Sequence, residues 1–327
     1  MKKWLALLSV IALCGCTAHT EHIPVSFYFW RTSFKLTSVE QQYLNELNVQ
    51  KLYVRYFDVA LKDTQAIPVS AVVFDHKPQN LEIVPVVYIK NEVFLQNAAD
   101  SLSTKVYRYI QQINQSAGIT VNEIQFDCDW SLKSKQNYFH FLDEFKKLHP
   151  NLSATIRLHQ IKYPEKTGIP NVQNGVLMYY NMGVISSGEN NSIYDRAVAR
   201  RYIKSLQNYS LPLDVALPIF SWGVHIRQNQ VTNLIGGLRA TDLNSKQFKQ
   251  IDENRYKVLE DLVYKGRFLA KNDEIKIEET SAKQLKEMIA DLKKNMKNKP
   301  KEIILYDLNE QNLQQYEKEA FQTINHW

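Results

Sequence analysis

Eight short runs of β-branched and aromatic residues, at 25–30, 51–57, 83–89, 123–128, 153–158, 175–180, 212–220 and 302–306, punctuate the chain, and helical patterns separate most of them. Runs apolar on both faces belong to strands covered on both faces, as in a parallel sheet crossed by helices. Eight such units within about 300 residues fit an α/β fold of the (β/α)8 TIM-like barrel type. The alternative, a doubly wound sheet, needs a glycine-rich phosphate turn that the sequence lacks.

The connections carry their own signals. Thr37-Ser38-Val39-Glu40 is a capping box that opens a helix. Periodic stretches at 93–113, ending near Gly118, and at 134–148, 193–206 and 281–296 predict further helices. Two units are weak: 60–80 predicts a poor helix after strand two, and 161–173 a short one after strand five, so the ring of helices is expected to be irregular. Between 221 and 280 the chain makes an excursion in which 267–277 reads as strand, turn, strand. The expected organisation is a barrel over 23–327 with a small β-containing insertion, a lid or subdomain, after strand seven.

The opening segment reads differently. Met1-Lys2-Lys3 followed by an apolar run from Trp4 to Leu13 has the layout of a secretory signal, too short to span a bilayer permanently. Leu13-Cys14-Gly15-Cys16 resembles the bacterial lipobox. That resemblance implies a signal peptide over 1–15, acyl chains (diacylglycerol, palmitate-type) on Cys16, and a tether over 16–22. The soluble body would then be a membrane-anchored lipoprotein of the cell envelope, facing the periplasm or the surface. Thr17 after the lipidated cysteine resembles the outer-membrane sorting pattern of Gram-negative cells.

Removing Lys2 and Lys3 lowers the formal charge from +6 to +4. The 40 basic and 34 acidic residues are interleaved with no basic block, which argues against a nucleic-acid partner. Of three cysteines only Cys128 remains in the body, so no intramolecular disulfide is expected there. A monomer is expected.

Barrel enzymes carry their chemistry at the C-terminal ends of the strands. There the sequence places Arg31, Arg55 with Asp58, Lys90 with Asn91, Asp127 with Asp129, Arg157 with His159, Tyr180 with Asn181, Ser221 with Trp222, and Tyr306 with Asp307. In Ile124-Gln125-Phe126-Asp127-Cys128-Asp129-Trp130, period-two alternation sends Gln125, Asp127 and Asp129 to one face and Cys128 to the other. The two aspartate Cα atoms are then roughly 6.5 Å apart. Carboxylates that close push each other's pKa values apart, which suits acid/base work; the alternative is a structural network with Arg55 or Arg157. His159, on the face of Arg157, is a candidate general acid or sugar donor. Trp30, Trp130 and Trp222 follow strand ends, where they are candidate stacking platforms for sugar rings. His225 reads as loop packing. No metal-spaced His/Cys set, Gly-x-Ser-x-Gly elbow or phosphate loop is present, so neither a metal nor a cofactor is implied.

Phe126-Asp127-Cys128-Asp129-Trp130 resembles the strand-four signature of glycoside hydrolase family 18, the chitinases and their non-catalytic relatives. Met178-Tyr179-Tyr180-Asn181 is similar to that family's Met-x-Tyr-Asp, and Ala216-Leu217-Pro218-Ile219-Phe220 to its strand-seven stretch. The departures are Ser131, where the family has its catalytic glutamate, and Asn181, where it has an aspartate. A serine does not protonate a glycosidic oxygen near neutral pH, so the family's mechanism is not supported. From lipobox to strand eight the chain also resembles a group of uncharacterised bacterial lipoproteins defined as a domain of unknown function.

Two functions stay open. One is a carbohydrate-binding barrel that hydrolyses its ligand, with Asp129 as general acid or base and Asp127 as its electrostatic partner. The other is an inactive barrel serving as a glycan-binding or envelope-assembly module. In both, Trp30, Arg31, Arg55, Trp130, Arg157, His159, Tyr180, Asn181, Trp222 and Asp307 are the candidate substrate-binding residues. The three arginines put an anionic glycan among the expected ligands.

Overall fold

The computed structural model describes residues 22–96, 99–325 and 327. The signal-peptide and Cys16 expectations fall outside the described residues. Eight parallel strands close into a barrel: β1 (Val25–Phe29), β2 (Lys51–Lys62), β3 (Glu82–Ile89), β4 (Ile124–Asp127), β5 (Leu152–Arg157), β6 (Asn174–Met178), β7 (Leu213–Pro218) and β8 (Ile303–Tyr306). Closure is made by β1, which pairs with β8 through Val25 and Ile303 on one side and with β2 through Phe27 and Leu52 on the other.

Alternation along each strand splits the side chains into two cores. Tyr28, Tyr53, Val84, Val176, Met178 and Ile304 fill the barrel interior. Phe27, Phe29, Phe57, Phe126 and Leu177 point outward under the helices. Cys128 belongs to that outer layer and is buried, so the alternation predicted for strand four holds. In the helix layer the expected cap is present, Thr37 opening Ser38–Glu46 with a reciprocal capping box to Glu40, and Ser281 opens Ala282–Asn295 in the same way. Lys135–Leu148 covers β4 with Tyr138, Phe141 and Phe145.

The ring is irregular, as expected, but not always where expected. No helix forms over 60–80. Instead β2 runs on to Lys62, turns at Asp63 (φ 57°) and pairs antiparallel with Gln65–Val69. The predicted helix over 93–113 is split into Asn91–Leu95 and Ala99–Ala117, the latter ending before Gly118 at φ 64°. Over 193–206 only Arg196–Ala199 and a 3-10 turn, Ile203–Asn208, form. The reason is packing: Ile193 enters the barrel-interior core while Tyr194, Ala199 and Leu206 enter the outer one, and one straight helix does not serve both.

After β7 the chain passes directly into Ser221–Arg227, the start of a five-stranded antiparallel sheet with Gln230–Gly236, Phe248–Asp252, Arg255–Val258 and Glu274–Glu279. The hairpin predicted over 267–277 is not formed as such. Arg267–Leu269 turns back on Leu262–Tyr264 through Lys265 and Gly266, both at positive φ as a two-residue hairpin turn requires. Glu274–Glu279 pairs instead with Ser221–Arg227 and Arg255–Val258. His225 lies in a strand rather than a loop. It is buried, with Asp273 Oδ2 at 2.7 Å from Nε2 and Thr232 Oγ1 at 2.9 Å from Nδ1.

Candidate functional site

A pocket of about 520 Å3 opens at the C-terminal mouth of the barrel. Its floor is Asp127, the last residue of β4, and its rim comes from the ends of β1, β5, β6, β7 and β8 and from the insertion. Because β7 runs straight into the insertion, Phe220 and Trp222 become one wall. Their rings lie 5.1 Å apart, Phe220 lies 5.6 Å from Tyr306, and Tyr306 lies 5.5 Å from both Trp30 and Tyr180. The result is an unbroken aromatic surface above one buried carboxylate, with Trp30 and Trp222 partly exposed.

Asp127 accepts a hydrogen bond from Thr155 Oγ1 at 2.6 Å and lies 3.7 Å from Arg157 Nη2. Burial raises its pKa against the opposing pull of Arg157. Asp129 lies beyond the strand end and is half-exposed, with Arg157 Nε donating to it at 2.6 Å. The two aspartates are therefore joined through a single guanidinium rather than forming a free acid/base pair, and the structural network weighed from sequence is present. Asp129 lines not the mouth pocket but a neighbouring cavity of about 320 Å3, with His159 and Tyr202; Arg157, Tyr180 and Asn181 border both. Burial lowers the pKa of His159.

Across the mouth, Asp307 is held at about 6, raised by burial and opposed by Arg31. Asn312 Nδ2 donates to it at 2.6 Å. Arg31 lines the pocket while donating to the buried Glu40 at 2.8 Å, so the capping box of the first helix also anchors a pocket residue.

Two candidates lie elsewhere. Trp130 is buried in the helix layer, stacked on Tyr138 at 5.3 Å with its Nε1 donating to the Thr167 carbonyl at 2.9 Å. The alternation that turns Cys128 outward turns Trp130 outward too. Arg55 stands behind Trp30, 5.8 Å from its ring, and is paired to Asp58 through Nε at 2.6 Å. Each of the three arginines thus already has a carboxylate of its own, which removes the charge argument for an anionic ligand. Ser131 also stays out of the pocket: its backbone N–H donates to Asn91 Oδ1 at 3.2 Å and Ser134 Oγ at 2.9 Å, ahead of the helix Lys135–Leu148.

Sequence reasoning missed Phe220, Asn309, Gln311, Asn312 and the Gly236-Gly237 edge of the insertion, all of which line the pocket. The run Asn309-Glu310-Gln311-Asn312, directly after a strand end, is a signal that points there. Among the described residues, no three His, Cys, Asp or Glu side chains converge so as to hold a metal ion.

No protein-family model matches the sequence, and neither does any curated protein. Solved structures do match. The spore cortex-lytic enzyme SleL of Bacillus megaterium QM B1551 superposes with a TM-score of 0.60 at 14% identity over 95% of this chain and 75% of its own. The class V chitinase of Nicotiana tobaccum gives 0.57 at 10% identity over 94% and 99%. The chitinase-like agglutinin RobpsCRA of Robinia pseudoacacia gives 0.55 at 13% over 92% and 98%. The fold is therefore a closed eight-stranded (β/α)8 barrel of the glycoside hydrolase family 18 type, with additional strands.

Proposed function

We propose that this protein binds an uncharged glycan in the mouth pocket and holds it without hydrolysing it. The observation that carries the reading is the aromatic wall of Trp30, Tyr306, Phe220 and Trp222 over Asp127. Apolar ring faces with a few fixed polar groups are what a sugar face and its hydroxyls require. The pairing of Arg31, Arg55 and Arg157 with internal carboxylates supports a neutral ligand. Against turnover stand Ser131, which carries no acid and lies outside the pocket, and Asp129, which is tied to Arg157 away from it.

The choice of probe is supported by the similar barrels, one of which, a chitinase of Cycas revoluta, is solved with (GlcNAc)4. Titrating the full chain with N-acetylglucosamine oligomers is expected to give saturable binding with no released reducing ends. Trp222→Ala is expected to weaken binding at least tenfold, about 1.4 kcal/mol. Reducing ends that appear with wild type and vanish in Asp127→Asn would instead establish hydrolysis.

The reading extends to location: a lipoprotein tethered to the cell envelope through acylated Cys16, supported by the lipobox pattern Leu13-Cys14-Gly15-Cys16. Labelled palmitate is expected to enter the wild-type chain and not Cys16→Ser.

A further inference from the structure

We propose that the mouth pocket continues into a second compartment, where Arg239 and Gln315 hold a further uncharged, hydroxyl-bearing unit of the same glycan. The proposal rests on the carbohydrate reading above. The compartment, about 370 Å3, lies between the 3-10 turn Ala240–Asp242 of the insertion and the segment that follows β8. Gln311 borders both spaces. Gly237, at φ 62°, lies on the mouth side of that border, where a Cβ would stand 3.4 Å from Gln311 Oε1.

Arg239 is nine-tenths buried in this wall. Its Nη2 donates to Asn312 Oδ1 at 3.0 Å, but Nε and Nη1 have no hydrogen-bond partner among the described residues. The nearest carboxylate oxygen, Glu279 Oε2, is 3.8 Å from Nη1, too far for a hydrogen bond. That same oxygen accepts from Gln315 Nε2 at 3.0 Å, and Gln315 Oε1 is left buried without a donor. Two unused donors and one unused acceptor therefore belong to two residues that line one cavity, each atom lying just beneath its surface. Buried polar groups are nearly always satisfied, so their partner is expected to come from outside the chain.

The chemistry of that partner follows from the charges. Arg239 and Lys265 face Glu279 and Asp242, with Lys265 Nζ 3.4 Å from Asp242 Oδ2. A charged ligand would meet an already balanced set. A hydroxyl both donates and accepts, and so does an acetamido group, which matches what Arg239 and Gln315 leave open. Because Gln311 lines both spaces, this group is assigned to the same glycan as the one proposed against Trp222.

The test is a length series on the full chain, from N-acetylglucosamine to its hexasaccharide, by calorimetry. Wild type is expected to gain affinity with length until a unit reaches Arg239. Gln315→Leu is expected to lower hexasaccharide affinity about tenfold while leaving the shortest bound oligomer unchanged. Arg239→Met is expected to lower hexasaccharide affinity at least as much, with some loss for the shortest oligomer because Arg239 also holds Asn312 of the mouth. Gln315 does not line the mouth pocket, so Gln315→Leu is the decisive variant and keeps the test valid if Arg239→Met misfolds or disturbs Asn312. Length-dependent binding that survives in the variants overturns the second compartment and leaves the carbohydrate reading standing. So does a hexasaccharide-soaked crystal with sugar in the mouth and only water at Arg239. Absence of binding by wild type at every length overturns both.

Discussion

Both ends of the barrel enclose a cavity, and the two differ little in size, about 520 Å3 at the mouth and 400 Å3 at the floor where the strands begin. Their chemistry differs completely. Five aromatic side chains line the mouth and none lines the floor. At the floor, Glu302 accepts from Tyr53 at 2.6 Å, Ser26 at 2.5 Å and Lys51 at 3.0 Å, and Glu123 accepts from Ser153 at 2.5 Å. Asp214 accepts the backbone N–H groups of Lys301 and Glu302 at 2.7 and 3.1 Å. These carboxylates spend their hydrogen bonds on neighbouring strands, so the floor ties the barrel shut. The mouth instead leaves ring faces open to solvent beside two aspartates, Asp127 and Asp307, each already hydrogen-bonded from within the chain. Volume alone does not distinguish a binding site from a structural void; the partners of the lining groups do.

The largest effect expected from that contrast is at the floor. Glu302→Leu would leave the buried Tyr53 and Ser26 hydroxyls without their acceptor and the partly exposed Lys51 ammonium with only Glu123, 3.7 Å away, at a cost of about 3 kcal/mol in chemical denaturation. The glycan affinity of the folded fraction is expected to stay within about twofold, in contrast to the tenfold loss in Trp222→Ala. A Glu302→Leu protein that is stable but no longer binds would break the comparison.

A smaller effect separates the two ends by pH. Asp214 at the floor and Asp307 at the mouth are each raised to about 6, chiefly by burial. A carboxyl whose folded pKa lies above its unfolded value adds stability in its protonated form. That contribution is complete below about pH 4 and is lost as pH rises through about 6. Each group is expected to contribute on the order of 2 kcal/mol to this loss, and Asp214→Asn and Asp307→Asn should each flatten part of the stability profile between pH 4 and 7. Glycan affinity is expected to change across the same range in wild type and in Asp214→Asn, but not in Asp307→Asn. Titration of affinity that follows Asp214 would erase the distinction between the ends.

Much of this was legible in the sequence because barrel strands are written in period two. The alternation Gln125, Asp127 against Phe126, Cys128 placed Asp127 of the mouth and the buried thiol correctly, and the Thr37-Glu40 capping box fixed a helix start by local chemistry alone. What failed was whatever depends on contacts distant in sequence. Trp130 is the exception, since the parity it shares with Cys128 already sends it outward, onto Tyr138 and the Thr167 carbonyl. The 193–206 helix broke because Ile193 and Tyr194 are claimed by different cores. Arg55 pairs locally with Asp58, only three residues away, yet nothing in one dimension says that Trp30 screens it from the pocket.

The smallest expected effect concerns position 131, where the resemblance to chitinases stops. If the missing glutamate were all that separates this barrel from a hydrolase, Ser131→Glu would restore turnover. The backbone N–H of Ser131 is held by Asn91 and Ser134, its hydroxyl lies 3.2 Å from Ser134 Oγ, and the residue is not part of the pocket lining. Its neighbour Asp129 is committed to Arg157 at 2.6 Å. A carboxyl introduced at 131 therefore lacks both a path to the ligand and a partner to raise its pKa. Ser131→Glu is expected to release no reducing ends from N-acetylglucosamine oligomers and to change their affinity less than about twofold. Turnover in that variant would mean that the loop after β4 swings into the mouth when glycan binds, and the division between a binding wall and a catalytic strand end would have to be withdrawn.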